Sequence, residues 1–148
     1  MTNTIAAPDL SGRPFRLTCE RQMAVPISVL YRAWKENIDQ WFAAPGTLMT
    51  QGELNTAYFF ETHFQGQRHP HYGRFLRLEF ERLVEMTWVT AAVGGVETVV
   101  TVELTPKDGG TLLHLTHAGF PDEASRKRHA GAWPGVLEQM ERKITGGQ

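Results

Sequence analysis

The chain has 148 residues, 41% of them hydrophobic and 21% charged, with a formal net charge of -1. That length suits one domain, able to bury roughly 70% of its unfolded surface without a disulfide or metal staple. The balanced charge offers no field to draw nucleic acid or an anionic membrane, and the lone Cys19 excludes an internal disulfide or a cysteine-rich zinc module and fits a cytoplasmic compartment.

Residues 1–12 carry neither the cationic start nor the apolar run of a signal peptide and read as a flexible tail before a single domain over 13–148. No apolar run is long enough to span a bilayer. From Phe15 the sequence alternates, with Phe15, Leu17, Cys19 and Met23 on one face of a strand that Arg21 interrupts. Pro26 suits the first turn of a helix whose apolar stripe is Ile27, Leu30, Trp34 and Ile38. Asn37 is placed to cap a second short helix through Trp41 and Phe42.

Between Thr47 and His117 strands and turns alternate. Gly66-Gln67 has the pattern of a type II′ hairpin and Asp108-Gly109 that of type I′. Counting outward from these turns, with a four-residue loop at 79–82 and a three-residue loop at 93–95, predicts two inner rows. One is Tyr58, Phe75, Met86, Val102 and Leu115; the next is Phe60, Gly73, Trp88, Val100 and His117. Glu61, Arg74, Thr87, Thr101, Glu103 and His114 fall on the opposite, wet face. Asp122 is placed to N-cap a final helix of about 34 Å. Its inner stripe would be His129, Trp133, Leu137, Met140 and Ile144, with a kink or break expected between His129 and Pro134.

The order of a strand, two helices, a run of antiparallel strands and one long helix resembles the START-like helix-grip fold of the SRPBCC superfamily. The segments RQMAVPISVLYRAW, DQWF, YGRFLRLEFERLVEMTW and TVVTVELTPKDGGTLLHLTHAGFPD resemble the family named for homology to the activator of the heat-shock-protein-90 ATPase. That family often carries a Gly-Gly pair where this chain has Asn55-Thr56, and an acidic residue where it has Arg77. The resemblance implies an α+β helix-grip domain: a curved antiparallel sheet, two short helices and a long C-terminal helix over the inner face. It also implies a cavity between sheet and helix for an apolar molecule. The co-chaperone activity behind the family name belongs to a longer, two-part protein and is not carried over.

The cavity so expected involves Trp41, Tyr58, Phe60, Gly73, Phe75, Met86, Trp88, Val100, His117, Trp133 and Leu137. Gly73 would leave a hole in the sheet face for a ligand or a neighbouring side chain. His117 is either a neutral core histidine bonded to backbone or a buried threonine, or a polar group used with Arg21 or Arg77. His63, His69 and His71 lack the convergence of a zinc site and read as polar loop histidines, so no metal and no cofactor are expected. No nucleophile or phosphate-loop motif is present, and no catalytic residue is assigned. The expected partner is a small apolar or aromatic molecule, with no nucleic acid and no membrane, and a homodimer is left open. The alternatives are a cyclase- or hydrolase-type enzyme using the same cavity, and a stress-response protein-interaction domain.

Overall fold

The alternation of inward apolar and outward polar residues becomes nine elements in a computed structural model that describes residues 6–146. In chain order they are β1 (Phe15–Met23), α1 (Ile27–Lys35), β2 (Met49–Thr50), β3 (Ala57–Phe64), β4 (Gln67–Glu79), β5 (Leu83–Trp88), β6 (Thr98–Lys107), β7 (Gly110–Phe120) and α2 (Glu123–Ile144). One-turn 3-10 segments lie at Ile38–Gln40 and Ala91–Val93. The seven strands form one antiparallel sheet in the order β1-β7-β6-β5-β4-β3-β2. α1 and α2 cover one face, so the helix-grip architecture is as expected. No helix among the described residues is long and apolar enough to cross a membrane. Residues 1–5 of the expected tail lie outside the described residues. Leu10 already packs against Gly119, and Arg13 Nε donates to the Gly119 carbonyl.

Faces are as the sequence predicts, except that Glu61 and Thr87 on the side read as wet are buried, and two of the four registers slide by two residues. The first hairpin turns on Gln65-Gly66, both with positive φ (52° and 75°), rather than on Gly66-Gln67. Tyr58 therefore faces Gly73, and Phe60 faces His71. The gain is aromatic: the His71 ring stacks on Phe60 at 4.7 Å, and the Tyr58 ring lies over the bare Gly73. Between β4 and β5 the expected pair Phe75–Met86 is observed. The loop is one residue shorter than predicted, and a bulge between Phe75 and Arg77 restores the count. The β5–β6 connection is longer than the three residues expected, because it contains the 3-10 turn. Met86 then faces Val100, and Trp88 faces Thr98. The last hairpin matches the prediction, with Leu104 opposite Leu113, Val102 opposite Leu115 and Val100 opposite His117.

Two further expectations concern helices. Asn37 precedes the 3-10 turn but makes no side-chain cap. The break expected before Pro134 is absent: α2 runs as one 22-residue helix. Trp133, Leu137 and Met140 on its inner side are buried, whereas Pro134 is exposed. Burial of the inner stripe holds the helix together, and the missing hydrogen bond falls on the outer side. Asp122 caps α2 by accepting the Ser125 N–H at 2.8 Å. Glu141 fastens the other half, accepting Arg21 Nε at 2.9 Å and the Ala24 N–H at 3.0 Å.

Candidate functional site

A cavity of about 490 Å3 opens beneath the first half of α2. The outer part of the β3–β4 hairpin supplies Phe64, Arg68, Pro70 and His71; the 3-10 turn supplies Ala91 and Ala92. α2 supplies His129, Ala132, Trp133 and Val136, while Phe42 and Trp88 complete the floor. The short side chains of Ala91, Ala92 and Ala132 leave room that larger residues would fill. The Ser125 hydroxyl donates to the Ala92 carbonyl at 2.9 Å and so pins the 3-10 turn to the start of α2.

Trp88 and Trp133 are the residues of the expected cavity that line this space, with ring centroids 5.6 Å apart. Trp41, Tyr58, Phe60, Gly73, Phe75, Met86, Val100, His117 and Leu137 do not line it. They form the packed core, where Trp34 meets Trp41 at 4.8 Å and Tyr58 stacks on Phe60 at 5.8 Å. The space left beside Tyr58, Phe60, Phe75 and Met86 is only about 10 Å3. The hole expected at Gly73 is closed as well. A Cβ there would lie 2.2 Å from the Thr87 carbonyl oxygen and 2.8 Å from Tyr58 Cε2. The glycine is required by close approach of two strands and an aromatic ring, and the Tyr58 hydroxyl donates to the same Thr87 carbonyl at 2.6 Å.

His117 is fully buried and its hydrogen bonds are directional. Trp133 Nε1 can only donate, and it reaches His117 Nδ1 at 3.1 Å. The His117 proton therefore sits on Nε2, which donates to Thr98 Oγ1 at 2.7 Å; that hydroxyl donates to the Trp88 carbonyl. Burial pushes the imidazole well below its usual pKa, so it stays neutral. The relay ties the Trp133 indole to the main chain of Trp88 across the cavity wall. It leaves His117 no free nitrogen, so the pairing of His117 with an arginine is not assembled. Arg21 is engaged with Glu141, and Arg77 is exposed and bidentate to Glu85.

The histidines that do reach the cavity are ones read as loop residues or helix stripe. His71 is not a polar loop residue: it is buried, ringed by Phe42, Phe60 and Trp88. The signal was available, since His71 shares the parity of Gly73 and Phe75. Its Nδ1–H donates to the His69 carbonyl at 2.9 Å, and burial pulls its pKa down to about 4. His129 repeats the arrangement, donating Nδ1–H to the Ser125 carbonyl at 2.8 Å, with its pKa lowered by burial. The Thr90 hydroxyl at the same wall is buried with no hydrogen-bond partner among the described residues. Arg68 is tied to Glu61 through Nε and a second nitrogen, at 3.1 and 2.8 Å. Among the described residues no three His, Cys, Asp or Glu side chains converge as metal ligands.

Comparison with known proteins bears on the fold. The chain is similar to protein CV1439 from Chromobacterium violaceum, at 21% identity over 88% of this chain and 96% of that one, with a TM-score of 0.74. It is similar to protein MLL2253 from Mesorhizobium loti, at 22% identity over 90% and 98% of the two chains and a TM-score of 0.70. CalU16 from Micromonospora echinospora is 21% identical over 87% of this chain and 75% of its own, with a TM-score of 0.68. These likenesses concern the fold alone. None of the curated proteins matches the chain. The family described as "Activator of Hsp90 ATPase homolog 1-like protein" matches residues 24–144, which takes in the two helices, the sheet from β2 to β7 and the cavity walls, and the chain belongs to that family.

Proposed function

We propose that the protein binds a small, largely apolar aromatic molecule in the cavity beneath the first half of α2, without chemistry on it. The observation that carries the reading is a space of about 490 Å3 walled mainly by Phe42, Trp88, Trp133 and Val136. This is within the size and composition of pockets that enclose small organic ligands. The fold's centre is filled, so a ligand has room here and not over Gly73.

The test uses the two wall tryptophans. Apolar aromatic probes at micromolar concentration should quench or shift the tryptophan emission of the parent. Ala132→Trp fills the cavity from an exposed helix position and should abolish the response while the denaturation midpoint stays near that of the parent. A probe response that survives in Ala132→Trp places the binding elsewhere. Native mass spectrometry of protein from its source then gives the mass of any small molecule that remains bound.

A further inference from the structure

Resting on that reading, we infer that the occupant is a neutral aromatic molecule bearing a hydroxyl or N–H donor, received by the bare Nε2 atoms of His71 and His129. A neutral imidazole carries one proton. In each of these residues Nδ1 spends it on a main-chain carbonyl, His69 at 2.9 Å and Ser125 at 2.8 Å. Each Nε2 is therefore a lone pair, and neither makes a hydrogen bond within the described protein. The two rings stand in different walls of one cavity, His71 on the hairpin and His129 on α2.

A further polar group of the wall is the Thr90 hydroxyl, 93% buried and unpartnered among the described residues. Buried polar groups are normally satisfied, so the unanswered Thr90 hydroxyl, beside two Nε2 lone pairs on rings that line the same apolar cavity, points to a ligand with polar hydrogens. The same set discriminates against anions. A carboxylate would meet two lone pairs, and Arg68, the cation at this wall, is already engaged by both oxygens of Glu61. Burial keeps both imidazoles neutral near neutral pH, which preserves their role as acceptors.

The experiment compares naphthol, its methyl ether and naphthoate by fluorescence titration of the full chain. Naphthol should bind about tenfold more tightly than the ether, the size of one well-made hydrogen bond, and naphthoate more weakly than either. His71→Phe and His129→Phe should each shrink the naphthol-to-ether affinity ratio, which is read within each variant. Circular dichroism of each variant checks that it is folded. Equal affinity for naphthol and its ether overturns this inference and leaves the apolar-cavity reading standing. An advantage unchanged in both variants overturns the assignment to these histidines. No binding of either neutral probe defeats the cavity reading and this inference with it.

Discussion

Acidification should unfold this protein by charging its buried histidines, and His71 sets a scale for the effect. Its pKa falls from 6.5 in the unfolded chain to about 4 in the folded one, chiefly through burial. A depressed folded value means the unfolded state binds protons first, so stability is complete above the unfolded pKa and is lost as pH falls through the window from 6.5 to about 4. Going from about pH 8 to about pH 5, the unfolded state gains a factor of about 30 from this group alone, or about 2 kcal/mol. His117 and His129 shift the same way and add to the slope. His71→Phe keeps a ring against Phe60 and Trp88 but cannot titrate. Urea denaturation of parent and variant, followed by tryptophan emission across that pH range, isolates the contribution. The stability difference between them should move by about 2 kcal/mol in favour of the variant as pH drops. A difference that stays constant across the range would refute burial of a neutral His71.

Three further outcomes are expected. His117→Leu strands the buried Trp133 indole N–H and removes the donor to the Thr98 hydroxyl, and should lower stability by about 2–4 kcal/mol in denaturant; a loss under about 1 kcal/mol would mean the relay is not needed. Gly73→Ala forces a methyl into the Thr87 carbonyl and the Tyr58 ring, and should cost about 3 kcal/mol or more, where a real hole would have tolerated it. Pro134→Ala returns a hydrogen bond to an unbroken helix at an exposed position and should raise the thermal midpoint, a gain of about 1–3 kcal/mol; an unchanged midpoint would show that α2 already accommodates the proline without strain.

The sequence revealed faces better than neighbours. A two-residue slip leaves every strand side chain on its predicted side, so burial of Trp88 and His117 follows from parity alone, while the partners of Tyr58 and Met86 do not. The slips trace to two local features that composition hides: a glutamine adopting positive φ at Gln65, and a 3-10 turn within what reads as a tight glycine loop. That second feature also explains the misplaced cavity. Ala91 and Ala92 form its wall only because the connection is long enough to fold back under α2. Conversely, Asn55 adopts φ of 56°, in keeping with the tolerance of asparagine for that region.

Arg21 has a consequence for assembly. Among the described residues β1 pairs on one side only, with β7, so its nine residues present a row of main-chain groups at the rim of the sheet. Rims of this kind recruit strands from other molecules. Here the outward side chains include Arg16 and Glu20, and the inner face is interrupted by Arg21, held by Glu141. A strand added from a second copy would have to extend the apolar inner face past a guanidinium already committed to α2. The ion pair that fastens the helix thus also makes the sheet a poor template for its own continuation.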